Sequence, residues 1–118
     1  MVRQYEAVFI MTPVLSEEQM KETVNKFEQI MLNGGCEIIH QENWGMRKLA
    51  YPIMKKSSGF YQLFEFKSDG QFIREFETQL KRDERIIRYL TVALDKDAIE
   101  YNKKRREVKI NKNNEEKE

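Results

Sequence analysis

A glycine and a proline seven residues apart, inside an otherwise apolar and aromatic run, confine residues 44–53 to extended backbone. The run reads Trp44-Gly45-Met46-Arg47-Lys48-Leu49-Ala50-Tyr51-Pro52-Ile53. Gly45 weakens any helix through it, and Pro52 removes a backbone donor and clashes with the preceding turn. Lys55-Lys56-Ser57-Ser58-Gly59 then reads as a polar loop and Phe60 to Phe66 as the returning strand, which makes a hairpin. Basic pairs at both ends of a stiff hairpin suit an extended polyanion better than a small substrate held in a pocket.

The flanking segments alternate between two periods. Tyr5 to Met11 is β-branched and aromatic and ends at Thr12-Pro13. Tyr5, Ala7, Phe9 and Met11 share one face, Glu6, Val8 and Ile10 the other, so the strand is central in its sheet. Ser16 with Gln19 forms a capping box, Leu15 can staple onto Met20, and Glu17 and Glu18 suit the first turn's dipole. Met20, Val24, Phe27 and Met31 recur at helical spacing until Gly34-Gly35 ends the helix. Cys36 to Gln41 resumes a strand that runs, with a bulge near Gly45, into the hairpin. The returning strand sets Phe60, Phe64 and Phe66 against Tyr61, Leu63 and Glu65. Ser68-Asp69-Gly70 caps a second helix whose buried stripe is Ile73, Phe76 and Leu80. In the final strand, Arg85 to Leu94, one side holds Leu90, Val92 and Leu94 and the other Ile87, Tyr89 and Thr91.

Strand, helix, strand, strand, helix, strand is the order of an α+β, ferredoxin-like βαββαβ plait, a four-stranded antiparallel sheet with two helices on one face. Residues 1–95 make that domain, and 96–118 form a polar tail, a short helix and then disordered chain. The second sheet face then has no layer of its own. Val8, Ile10, Tyr61, Leu63, Ile87 and Tyr89 fall on it, an apolar patch that suits a protein partner or a stacking platform.

Composition excludes several classes. With one cysteine, Cys36, and one histidine, His40, among 118 residues, neither an internal disulfide nor a Cys/His metal cluster can form. No apolar run approaches the roughly 20 residues of a membrane span, and the N-terminus lacks a signal peptide's apolar centre, so a cytoplasmic setting is expected. The formal net charge of +1 hides an asymmetry. Residues 1–46 hold three Lys/Arg against seven Asp/Glu, and residues 47–118 hold eighteen against thirteen. A basic second half points to an anionic partner met by part of the surface.

Three segments together resemble the bacterial small-subunit ribosomal protein number six family. They are Arg3-Gln4-Tyr5-Glu6, the run Gly45 to Ile53 with Lys55-Lys56 and Gly59-Phe60-Tyr61, and Arg82-Asp83-Glu84-Arg85-Ile86-Ile87-Arg88. The likeness covers about residues 2–94. It implies a structural constituent of the small ribosomal subunit that binds the central domain of small-subunit ribosomal RNA, paired with small-subunit ribosomal protein number eighteen. It also implies no enzyme activity, cofactor, metal, membrane or small-molecule substrate. Arg3, Arg47, Lys48, Lys55, Lys56 and Arg88 are then expected at RNA. Tyr5, Val8, Ile10, Arg47, Tyr61, Leu63 and Tyr89 are expected at the protein partner.

Two other readings remain at this level. A single-stranded RNA reader of the RRM type shares the topology, but its third-strand motif would need a glycine where Ser57 stands and an aromatic ring where Ser58 stands. A small-molecule-binding or enzymatic plait would need a glycine-rich turn before the first helix or convergent acid–base groups. Met11-Thr12-Pro13-Val14-Leu15 has no glycine, His40 has no neighbouring nucleophile, and Glu37, Glu42 and Glu65 make no recognisable dyad.

Overall fold

Seven elements follow one another in the computed structural model, which describes residues 2–53 and 55–116, with side chains as far as Glu107. They are β1 (Val2–Met11), α1 (Glu17–Asn33), β2 (Glu37–Ile53), β3 (Lys56–Asp69), α2 (Gly70–Arg82), β4 (Ile86–Ala93) and α3 (Lys96–Glu116). The strands form one antiparallel sheet in the order β2-β3-β1-β4, so the ferredoxin-like plait is borne out and β1 is central.

Local chemistry places the boundaries. The Ser16 hydroxyl accepts from Gln19 N at 3.2 Å while Ser16 N donates to Gln19 Oε1 at 2.9 Å, the reciprocal box that starts α1. At its other end Gly35, with φ +82°, takes the left-handed turn that returns the Cys36 amide to the Met31 carbonyl. Asp69 caps α2 by accepting from Gln71 N at 3.0 Å.

Phe9, Phe27, Phe64, Phe66 and Phe76 are wholly buried between the sheet and α1 and α2. Each ring removed from water contributes about 1.5–3 kcal/mol. The Phe9 and Phe27 centroids lie 5.4 Å apart, tying β1 to α1. Phe72, outside the stripe expected for α2, also belongs to this core; Ile73 packs at its margin. Buried Asp83 joins α1 to the α2–β4 connection, accepting from Lys26 Nζ at 2.9 Å and from Arg85 Nη2 at 2.7 Å.

Four expectations need correction. The loop at Lys55–Gly59 shrinks to a tight reversal, because Ile53 pairs with Lys56 and Lys55 takes φ 66° at the tip. The tail is not a short helix, since α3 runs twenty-one residues to Glu116. Nor is the second face bare, because α3 crosses one end of it. Finally, the register of β1 with β4 slips between Ile10 and Met11, a bulge at Ile87. Beyond it Tyr89 stands opposite Phe9, on the core side, and Arg88 and Leu90 stand on the second face. The bulge near Gly45 occurs as expected, with φ +74° at Gly45 and its amide donating to Asn43 Oδ1 at 2.8 Å.

Candidate functional site on the second sheet face

The second face divides into an apolar half and a charged half. In the apolar half a groove of about 420 Å³ runs among Val8, Ile10, Leu49, Tyr51, Tyr61 and Leu90. Val8 and Ile10 sit opposite Leu63 and Tyr61 in the pairing of β1 with β3, which puts all four on one side. The β2–β3 hairpin curls over this half and supplies its wall. Gly59 makes the bend possible, because a Cβ there would collide with the Ile10 side chain and crowd the Met11 carbonyl. Arg88 reaches from β4 to the hairpin, donating to the Tyr51 hydroxyl at 2.8 Å with its guanidinium 6.0 Å from the ring centroid. That bond raises the Arg88 pKa above an already high ordinary value, so the rim stays cationic.

In the charged half, Glu6 and Glu65 stand directly opposite each other on neighbouring strands. Like charges in that position repel unless something is placed between them. Helix α3 supplies it. Asn102 Nδ2 donates to Glu6 Oε2 at 3.0 Å and to Glu65 Oε1 at 2.9 Å, Arg106 Nη1 reaches Glu65 Oε1 at 3.3 Å, and Gln4 Nε2 donates to Glu65 Oε2 at 2.8 Å. The Glu65 side chain is 1% exposed as a result. Arg105 meets Glu42 at 3.5 Å, and the same Glu42 lies 3.7 Å from His40 Nε2. Between the two halves, Tyr61 stacks on Trp44 at 6.0 Å, with the Arg47 guanidinium 5.4 Å from the Trp44 ring centroid.

The residues singled out from sequence fall into separate groups. Arg47, Lys48, Lys55 and Arg88 are exposed and Lys56 half-buried, all on or near the hairpin end of the sheet; Arg47 stands opposite Gly59, Lys48 opposite Ser58 and Lys56 opposite Ile53. Arg3 lies at the far end of β1, eight residues before Met11, about 26 Å away at strand rise. There it shares a shallow depression with Tyr5, Asp69, Gly70 and Arg74. Of the expected partner residues, Val8, Ile10 and Tyr61 line the groove. Leu63 lies on the same face but is only 2% exposed, so it supports the surface from beneath. Tyr5 is a correction: it stands opposite Phe66 and stacks on it at 6.0 Å, on the helix side of the sheet. Tyr89 is corrected likewise and packs against the aromatic core, with part of the residue bordering the groove.

Leu49, Tyr51 and Leu90 were not anticipated, and neither were Asn102, Arg105 and Arg106. A signal for the last three was present: alternation already put Glu6 and Glu65 on one face, and paired carboxylates need donors, which the tail's Asn- and Arg-bearing run can supply. Burial pushes the Cys36 thiol up, which disfavours its thiolate. Among the described residues no group of His, Cys, Asp and Glu could hold a metal, and no helix is long and apolar enough to cross a membrane.

Comparison with known proteins agrees on one family. The family model described as ribosomal protein S6 matches residues 4–93. A small ribosomal subunit protein bS6 from Phocaeicola vulgatus is 60% identical over 111 residues, 94% of this chain and 97% of that protein. The protein of the same name from Flavobacterium johnsoniae is 53% identical over 105 residues, 89% and 93% of the two chains. The crystal structure of 30S ribosomal protein S6 from Thermotoga maritima superposes with a TM-score of 0.78 at 32% identity, covering 92% of this chain and 99% of that one.

Proposed function

This chain belongs to the ribosomal protein S6 family, and from that premise we propose that it binds the central domain of small-subunit ribosomal RNA as a pair with small-subunit ribosomal protein number eighteen. The family is one of structural constituents of the small ribosomal subunit, not of catalysts. The observation that carries the finer reading is the apolar groove with a cationic rim on the sheet face away from α1 and α2. An apolar surface of this extent on a small domain is costly in water and is stabilised when a partner covers it.

The division of labour follows from charge. Val8, Tyr61 and Leu90 offer area without charge over the buried Ile10, which suits a protein segment. Arg47, Lys48, Lys55 and Arg88 surround that segment and reach past it to phosphates. Arg3, with Arg74 beside it, forms a separate cationic spot at the other end of the sheet. Phosphate contacts by such residues release counterions, so each adds about one unit to the dependence of log affinity on log salt.

A tagged full-length chain tests the reading by sedimentation. It is expected to travel with small subunits at low salt, to be released as salt rises, and to bring protein number eighteen with it when released. Sedimentation with free large subunits alone, or release without that companion, would overturn the pairing.

A further inference from the structure

Three guanidinium groups from two segments far apart in sequence converge on one recess. Arg47 from β2 and Arg105 and Arg106 from α3 line a hollow of about 220 Å³ together with Trp44 and Glu42. We propose that Arg105 and Arg47 together grip an RNA phosphate in this recess, so that α3 extends the RNA-binding surface. The inference rests on the RNA-binding reading above and adds to it a site on a helix that lies beyond the span matched by the family model.

The three arginines are not equivalent. Arg106 has a side chain 21% exposed and is committed to Glu65, which has almost no access to water. Asn102, also buried, bridges the same carboxylate and Glu6. Taking Arg106 away would leave a buried charge without its cation, so it acts as the anchor that keeps α3 on the sheet. Arg105 is 45% exposed, and its 3.5 Å approach to Glu42 is long for a charge-assisted hydrogen bond, which runs at roughly 2.7–2.9 Å. Arg47 is exposed and, among the described residues, rests on the Trp44 ring and pairs with no carboxylate. Two guanidinium groups with donors to spare therefore line one hollow that holds a single carboxylate.

Paired guanidinium groups fit phosphate oxygens through parallel N–H donors, a geometry that lysine cannot reproduce. The anchoring of α3 places Arg105 before the ligand arrives, so little ordering entropy is lost on contact. The other exposed side of α3 serves less well, because Lys96, Lys103 and Lys104 are there interleaved with Glu100 and Glu107. An acidic protein segment could enter the same recess, and the experiment separates it from RNA.

Trp44 is the chain's one tryptophan, which makes the recess its own fluorescent reporter. The full chain, with its protein partner, is titrated with a small-subunit ribosomal RNA fragment across a range of salt while Trp44 emission and RNA anisotropy are followed. Emission should change in step with RNA binding. Arg105→Gln and Arg47→Gln should each lower the salt slope by about one unit, and Arg105→Lys should keep the slope while weakening binding several-fold. The variant Lys21→Gln on α1 should do neither. Normal slope and affinity in Arg105→Gln, while a Lys55→Ala, Lys56→Ala double variant weakens binding, would sink this inference and leave RNA binding by the hairpin intact. An unmodified complex that fails to bind the RNA would sink both. Poly-glutamate shifting Trp44 emission as strongly as RNA at equal charge would reassign the recess to an acidic protein segment.

Discussion

Replacing Arg106 by leucine removes the one cation that, among the described residues, touches the buried Glu65 carboxylate. Stripping a partner from a buried ion pair costs about 3–5 kcal/mol when nothing compensates. Here Gln4 and Asn102 still donate to Glu65, and the Arg106 contact is long at 3.3 Å. A loss of about 2 kcal/mol, the scale of one hydrogen bond to a charged group, is therefore the better figure. The protein also has a way to escape the cost. No residue of α3 belongs to the aromatic core, so lifting the helix rehydrates Glu65 without disturbing Phe9, Phe27 or Phe76. Arg106→Leu should accordingly speed hydrogen exchange in α3 around residues 98–107 by about thirty-fold, the equivalent of that 2 kcal/mol, and move the urea midpoint of the core little. Adding Glu65→Leu should recover most of the loss, since an apolar pair in that position strands no charge. Unchanged exchange in α3, or a double variant as damaged as the single one, would refute the claim that this ion pair fastens the helix.

Asp83→Asn should lower stability at neutral pH by about 1–3 kcal/mol, because the carboxyl that accepts from Lys26 and Arg85 is held well below the ordinary aspartate range, mainly by the Arg85 hydrogen bond. A depressed folded pKa gives stability that is complete above the unfolded value of about 3.9 and drains away as pH falls towards the folded one. Urea titrations of the two proteins should therefore differ at pH 7 and converge as the pH drops below 4; a gap independent of pH would exclude the charge as its cause. Leu90→Asp places a carboxylate in the groove at a residue 63% exposed, so thermal stability should move by less than about 0.5 kcal/mol. Binding of the protein partner should weaken at least about tenfold, read by isothermal titration, and an unchanged affinity would place the partner elsewhere.

The elements that were legible in the sequence are those whose signals are local. Ser16 with Gln19, the Gly34-Gly35 stop and Asp69 before α2 act within a few residues of themselves, and each boundary falls where that chemistry puts it. Alternation carried the faces of β1 and β3 for the same reason, since period two is a property of the chain itself. It failed in β4 because a bulge depends on how two strands meet. One extra residue at Ile87 reverses everything after it, which puts Tyr89 in the core instead of on the expected apolar patch and brings Arg88 and Leu90 out in its place.

The site was legible in its parts but not in its assembly. Cationic hairpin residues and the apolar groups of the central strands could be read from the run 44–61 and from β1, yet their relation depends on contacts between distant elements. Arg88 meets Tyr51 across 37 positions and Asn102 meets Glu6 across 96. The tail was misread for a physical reason: its residues are too polar to bury by the hydrophobic effect, and composition alone then predicts disorder. What folds it onto the sheet is electrostatic need on the other side of the contact. Glu6 and Glu65 cannot face each other in a dry place without donors, and the segment around Asn102 and Arg106 satisfies them. A polar segment should therefore be judged against the charges that the rest of the chain leaves unpaired. By that criterion α3 belongs to the folded domain, held on the sheet by the carboxylates it satisfies.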